Sequence, residues 1–244
     1  EQKRIASILD QAARLTRLRA EALARLGTLG QAIFHEMFGD GAGNASESGA
    51  SPLSDLADIA SGITKGRKLN GEATRPVPYM AVSNVQDQHL NLSAVKEIEA
   101  TEGEIARYRL LAGDLLLTEG GDPDKLGRGC LWNDEVEESI HQNHVFRVRI
   151  TNARVRPIFL QWFVGSPISK RYFFKSAKQT TGIASINKTQ LGALPVFVPS
   201  MGDQIRLETR LSSLEAAKRC AQSSAAQAQT LFASLQHRAF RGEL

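Results

Sequence analysis

His141 and His144 stand three residues apart, a spacing that on a helix would place two imidazoles within reach of one metal ion. Here they lead into the apolar run Val145–Ile150, with no Cys or carboxylate partner in the adjoining sequence, so they read as hydrogen-bonding turn residues. Asp114, Glu119, Asp122 and Asp124-Lys125 form a second candidate. Carboxylates can hold a divalent cation while a Lys supports an attacking hydroxide, the chemistry of a metal-dependent nuclease. Gly120-Gly121-Asp122-Pro123-Asp124 is also the composition of a flexible loop, and we favour the loop. The chain holds no GxxxxGK[ST] phosphate loop, no GxGxxG after a strand, no GxSxG elbow and no HExxH pair. An Asn/Asp-Pro-Pro-aromatic motif, as in amino-methyltransferases, is absent too. Cys130 and Cys220 have neither CxxC nor Cys/His spacing, so neither a disulfide framework nor a zinc site is expected. Catalysis is not expected of this chain, nor a metal or cofactor within it.

Binding chemistry is better represented. The formal charge is only +4, from 30 Lys and Arg against 26 Asp and Glu, yet its distribution is uneven. Residues 97–138 hold 12 acids against the bases Arg107, Arg109, Lys125 and Arg128. Residues 139–202 hold no acid and nine bases: Arg147, Arg149, Arg154, Arg156, Lys170, Arg171, Lys175, Lys178 and Lys188. Such a division suggests a domain that turns one face to a polyanion, nucleic acid above all. Solvated strand and helix faces would share that composition.

The elements that position these residues show in the pattern. At 244 residues, 42% apolar and 23% charged, the chain fits one or two globular domains. No apolar run nears the ~18 residues of a membrane span, and Glu1-Gln2-Lys3-Arg4 does not open a signal peptide. The expectation is a soluble, cytoplasmic protein, and the opening on Glu1 suggests a fragment or a processed product. Residues 1–40 align without a gap on 203–242, sharing Gln-x-Arg at the start and His-x-x-Phe at the end. Both copies have helical periodicity. The first has a seam of Ile5, Ile8, Ala12, Leu15, Ala22, Leu26, Leu29 and Ile33, broken at Arg19. The second has Leu207, Leu211, Leu214, Ala221, Ala225, Ala228, Phe232, Leu235 and Ala239, broken at Lys218. Each would run roughly 57 Å at 1.5 Å per residue, and a coiled coil would bury both stripes, within the chain or between subunits. Residues 39–52 read as a Gly/Ser/Ala linker. Beyond it, strands are predicted at Val77–Val82, Leu110–Leu111, Leu115–Leu117, Gly129–Trp132, Val145–Ile150 and Pro195–Val198. Helices are predicted at Ser54–Ala60 and Pro157–Ser176, with Ile158, Phe159, Trp162 and Phe163 in the core. The fold class is α+β, a mixed domain of about 150 residues bracketed by two long helices.

Several segments, taken in order, resemble the specificity (S) subunit of type I restriction–modification systems over essentially the whole chain. Leu53-Ser54-Asp55-Leu56-Ala57-Asp58-Ile59-Ala60-Ser61-Gly62-Ile63-Thr64 looks like the opening of a target recognition domain, and Val77-Pro78-Tyr79-Met80-Ala81-Val82-Ser83-Asn84-Val85 like its next strand. Leu111-Ala112-Gly113-Asp114-Leu115-Leu116-Leu117-Thr118-Glu119-Gly120 matches the family's Gly-Asp-Leu-Leu segment. Gln142-Asn143-His144-Val145-Phe146-Arg147-Val148 is similar to its Asn-Gln-His-Val-Phe-Arg strand, with Gln and Asn exchanged. Thr181-Gly182-Ile183-Ala184-Ser185-Ile186-Asn187-Lys188, Leu194-Pro195-Val196-Phe197-Val198-Pro199 and the ending Ala239-Phe240-Arg241-Gly242-Glu243-Leu244 complete the series. The resemblance implies two conserved helical regions, residues 1–38 and 203–244, forming an antiparallel coiled coil, with a linker at 39–52 and one recognition domain at 53–202. The family carries two such domains, each reading half of a split site, and this chain lacks the first. A truncated subunit or a natural half-subunit that dimerises would account for that. The implied partners are double-stranded DNA, modification subunits carrying the methyltransferase chemistry and S-adenosylmethionine, and a restriction subunit in the full complex. No membrane is among them.

On that reading Lys and Arg contacts to phosphate supply affinity. Lys170, Arg171, Lys175 and Lys178 are the first candidates, and Lys65, Arg67, Lys68 and Arg75 the second. Base edges need matching donors and acceptors, for which Asn84, Gln86, Gln88, Gln179, Thr180, Thr181 and Arg128 are candidates. Each is equally compatible with a solvated or turn-capping role. Two other functions compete: a coiled-coil adaptor that binds no DNA, and the metal-dependent nuclease.

Overall fold

A computed structural model describes residues 2–44, 49–69, 71–121, 126–180 and 183–244. They form two compact units, Glu1–Met37 with Arg206–Leu244, and Phe38–Ile205. The first helix, α1 (Gln2–Asn44), continues into the stretch expected as linker. No proline stands before Pro52 to end it. At the far end of that stretch β1 (Ser51–Pro52) pairs antiparallel with Pro195 and Val196, so the end of the supposed linker is part of the central unit.

In the central unit, Leu53–Asp55 form a single 3-10 turn that leads into β2 (Ala57–Ser61), where the sequence suggested a helix over Ser54–Ala60. The reason is tertiary: Ala57 and Ile59 point inward and Asp58 outward while the strand pairs with residues 146–150. β3 (Arg75–Met80) and β4 (Lys96–Ala100) form a hairpin with a long loop. Next comes α2 (Glu102–Tyr108), whose start is fixed by a capping box in which Thr101 accepts from the Glu104 N–H and Glu104 accepts from the Thr101 N–H. β5 (Leu115–Thr118), β6 (Gly120–Gly121), β7 (Gly129–Leu131), β8 (Ile140–His141) and β9 (Val145–Ile150) follow. The predicted Leu110–Leu111 strand does not form; Leu110 is buried and Leu111 exposed. α3 (Pro157–Val164) and α4 (Pro167–Ser176) replace the one helix expected there. The break is local chemistry: Ser166 caps α4 through the Ser169 N–H and Pro167 takes its first turn. β10 (Lys178–Thr180), β11 (Ile183–Ser185), α5 (Lys188–Gly192) and β12 (Pro195–Val196) end the unit.

The strands order as β2-β9-β5-β7, β4-β3-β8, β10-β11-β6 and β1-β12. β5 is an inner strand, and all four of its residues are buried, so its run of leucines faces protein on both sides. Phe159, Trp162 and Phe163 of α3 are buried as expected, with Ile158 half-buried.

The last helix, α6 (Met201–Phe240), pairs antiparallel with α1 in the helical unit. The Thr16 hydroxyl donates to the Ala228 carbonyl at 3.4 Å, and Arg210 meets Glu36 at 2.8 Å. The expected seam of α6 is buried or half-buried throughout. That of α1 is kept at Ile5, Ile8, Ala12, Leu26 and Ile33 and displaced between them. Ile5, Leu9, Ala12, Thr16, Leu23, Leu26, Gly30, Ile33 and Met37 turn inward, while Leu15 and Leu29 stay 39% and 42% exposed and Ala22 lies outside with them. Two neighbouring stripes share Ile5, Ala12, Leu26 and Ile33. Hydrophobicity alone favours the one through Leu15 and Leu29, whereas close approach of the backbones favours the smaller Thr16 and Gly30.

Candidate nucleic-acid interface

β7 is an edge strand, and an edge leaves alternate backbone groups without a ladder partner. Two glutamines meet them. The Gln88 N–H donates to the Gly129 carbonyl at 2.9 Å, and the buried Gln161 of α3 accepts the Leu131 N–H through Oε1 at 2.7 Å. Gln161 then donates from Nε2 to Gln88 Oε1 at 2.5 Å. Ahead of β7, Arg128 donates from Nη1 to Gln86 Oε1 at 3.2 Å, and Gln86 donates from Nε2 to the Ser83 carbonyl at 2.8 Å. Gly127 makes the exit of Arg128 possible. Its φ is +70° and a Cβ would lie 2.5 Å from the Phe173 ring, so only glycine passes there without displacing the ring. On α4, the Lys170 ammonium stands 3.8 Å from Asp87. Four residues singled out from the sequence, Gln86, Gln88, Arg128 and Lys170, thus meet around one strand edge.

Beside Lys170, Arg171 and Lys175 are exposed, and Lys178 opens β10 in an exposed position. Among them Phe174 is 52% exposed, an aromatic face within a basic stretch. The backbones of Gln179 and Thr180 lie in β10, paired with Ala184 and Ile183, while Thr181 lies outside the described residues. This hairpin continues onto β6 through Ala184 with Gly121 and Ser185 with Gly120. A Cβ on Gly120 would stand 2.8 Å from the Ala184 carbonyl oxygen, so the glycine permits the strand's approach.

The remaining candidates are placed differently. Arg67 binds both carboxylate oxygens of Glu104 at 2.5 Å and the Glu99 carbonyl at 2.8 Å. The guanidinium holds the Glu104 carboxyl down at about 2. Arg75 lies between Glu102 at 2.5 Å and Glu138 at 2.8 Å. Both arginines therefore engage acids of the 97–138 stretch, anchoring α2 and its surroundings. Lys65 and Lys68 are exposed, with no ion pair to another described residue. Asn84 is buried: its Oδ1 accepts the Ala81 N–H at 3.0 Å, and its Nδ2 donates to the Asn91 and Ala94 carbonyls at 2.8 and 3.0 Å. It closes the 81–94 loop from inside.

Of the groups weighed for catalysis, Asp114, Cys130 and His141 are buried in the central unit. Asp114 is buried, accepting two hydrogen bonds from Arg149 at 2.7 Å and one from the Leu111 N–H at 2.8 Å. Asp122, Asp124 and Lys125 lie outside the described residues. Among the described residues no group of three or more His, Cys, Asp or Glu side chains could hold a metal ion. Burial pushes the Cys130 thiol up to about 12, which keeps it protonated and unreactive at neutral pH. His144 does have a carboxylate neighbour, Glu119 at 2.6 Å, which the sequence around it does not show. His141 is not a turn residue but lies buried at the end of β8, with Nδ1 2.7 Å from the Val145 carbonyl across the turn that holds His144. A carbonyl accepts only, so Nδ1 carries the proton.

Burial lowers the His141 imidazole to about 4, below its ordinary 6.5. Between those values the unfolded chain takes up a proton that the folded chain refuses. Stability from this group is therefore full above pH 6.5 and falls as the pH drops towards 4, by about 3 kcal/mol at most. Urea denaturation at pH 7 and pH 4 measures it. His141→Asn, which keeps a donor for the Val145 carbonyl, should flatten this part of the profile; an unchanged profile would remove His141 as its cause.

Gln161 and Phe174 were not singled out from the sequence. Gln161 sits in an apolar run and shows no signal there. Phe174 does, since Phe173 and Phe174 are adjacent on one helix and cannot both face the core.

No protein-family model matches the chain. It is 25% identical over 195 residues to the type I restriction enzyme EcoKI specificity subunit of Escherichia coli strain K12, covering 78% of this chain and 41% of that protein. Among solved structures it superposes on the HsdS subunit from Thermoanaerobacter tengcongensis with a TM-score of 0.58 at 16% identity, covering 99% of this chain and 57% of that one. A chain solved in work on complex assembly and conformational transition of the type I R-M system gives a TM-score of 0.65 at 18% identity, with 99% and 58% covered. The chain therefore spans about half the length of the proteins it matches.

Proposed function

We propose that this chain, which shares sequence and fold with the specificity subunits of type I restriction–modification systems and carries one target recognition domain with two long helices, reads one half of a split double-stranded DNA site. It does so without chemistry of its own. The observation that carries the reading is the convergence of Gln86, Gln88 and Arg128 beside the edge of β7, with Lys170 reaching Asp87 of the same loop, side chains from separate parts of the sequence. Donors and acceptors placed in this way suit base edges, and the exposed Arg171, Lys175, Lys178, Lys65 and Lys68 suit phosphates. In the assembly, modification subunits would dock on the paired helices and bring S-adenosylmethionine, with the restriction subunit joining the larger complex. Were the chain a natural half-subunit, a second copy of it would supply the other half-site; were it part of a longer subunit, a further recognition domain would.

Electrophoretic shifts with random duplex at several salt concentrations test the reading. Affinity should fall linearly in log salt, with a slope near −0.9 for each phosphate contact. Replacing Arg171 and Lys175 by Ala together should reduce that slope by about 2. Binding that is absent at low salt would favour the adaptor, in which the helices bind protein and the centre binds no DNA.

A further inference from the structure

The glutamine pair at the edge of β7 supports a narrower conclusion, which rests on the DNA-reading proposal. The direction of each amide is set by groups that cannot reverse their role. The Leu131 N–H is a donor, so Gln161 must turn its oxygen to it, at 2.7 Å. Its nitrogen then faces Gln88, and Gln88 must answer with its own oxygen, at 2.5 Å. Gln88 is left with its NH2 group to offer. The same logic holds at Arg128, whose guanidinium has donors only. Gln86 turns its oxygen to Arg128 at 3.2 Å and spends its nitrogen on the Ser83 carbonyl at 2.8 Å. Asp87, between the two glutamines, is the one nearby acceptor of this loop with side-chain charge, and it faces Lys170 at 3.8 Å. Gln88 and Arg128 together therefore offer donors.

Base edges in the major groove differ in what they ask for. Guanine presents two acceptors, O6 and N7, side by side. Adenine presents an acceptor and a donor, and a glutamine reads it with both ends of the amide. With its oxygen already accepting from Gln161, Gln88 has its amide nitrogen as the uncommitted end, which favours an acceptor over the acceptor–donor pair of adenine. We propose that Arg128 and Gln88 specify a guanine in the half-site, and that Gln161 is a positioning residue that keeps Gln88 a donor.

Selection from a randomised duplex library with the full 244-residue chain, at low salt, tests this. The unaltered chain should enrich a motif with an invariant guanine. Arg128→Ala should relax that position and weaken discrimination there about tenfold or more. Gln88→Glu sets a carboxylate oxygen outward, so the position should move to cytosine or adenine, whose amino groups donate. Gln161→Met frees the Gln88 amide to present either end, so adenine should be accepted beside guanine. The first two changes are at half-exposed positions and leave the buried Gln161 in place, so they decide the matter even where Gln161→Met does not fold. A motif without guanine, or one that survives Arg128→Ala and Gln88→Glu unaltered, overturns the guanine assignment and leaves DNA reading standing. Failure of the unaltered chain to enrich any motif sinks both.

Discussion

Asp114→Ala should destabilise the central unit by about 3 kcal/mol, the low end for breaking a buried ion pair. The carboxylate side chain is 2% exposed and engages Arg149 through both oxygens, while Arg149 is 32% exposed and can recover some hydration. Removing the acid leaves the guanidinium beside an apolar methyl group and frees the Leu111 N–H, which the same carboxylate caps. Against a total stability of order 5–15 kcal/mol that is a large fraction, visible as a lower urea midpoint at unchanged slope. Replacing both partners, Asp114→Ala with Arg149→Met, should recover much of the loss, because no charge is then stranded. The pair of measurements also separates two roles for the acid. A nuclease carboxylate would leave stability intact and abolish magnesium-dependent cleavage on substitution. A structural one does the reverse, and a D114A protein as stable as the parent would contradict the geometry described above.

Asp114 also shows where sequence reading stopped. Its place in a Gly-Asp-Leu-Leu segment was legible, and so was the strand that follows, since β5 opens on three consecutive leucines. That Arg149 would meet it from β9 was not, because the pairing of β5 with β9 joins residues far apart in the chain. The same holds for Arg67 and Arg75. Counted along the chain they are bases available to phosphate; in the fold each engages Glu side chains from the acidic stretch. The two stretches of opposite charge are thus not simply two faces, and part of the acid neutralises bases from elsewhere. Ser166-Pro167 is a helix start that the helical spacing of Ile158, Phe159, Trp162 and Phe163 does not reveal. The short apolar run of β2 carries no periodicity strong enough to decide between helix and strand, and only pairing with β9 does so. The candidates that the fold gathers, Gln86, Gln88, Arg128 and Lys170, were chosen for their side-chain chemistry, and the residue that orients Gln88 was invisible until α3 was laid beside β7.

Leu29→Pro is expected to disrupt the helical unit and spare the central one. A proline inside a helix removes a backbone donor and clashes with the preceding turn, at about 3 kcal/mol or more. Leu29 is 42% exposed and outside the seam, so Leu29→Ala should lose little, and the contrast separates helix continuity from packing. Gly30, next in sequence, is buried in the seam, so a kink at this point would displace the position where small size permits close helix approach. The two units can be followed separately because Trp132 and Trp162, the only tryptophans, are both buried in the central unit. Tryptophan emission should therefore keep its native form in the variant while the far-ultraviolet helical signal falls and melts earlier. If the emission shifts together with the helical signal, the two units fold as one. A native helical signal in the proline variant would mean that α1 does not need to be continuous at residue 29. Should the helices serve as the docking surface for modification subunits, the same variant would lose that association while random-duplex binding at low salt persists, since the side chains gathered on β7 belong to the unit that stays folded.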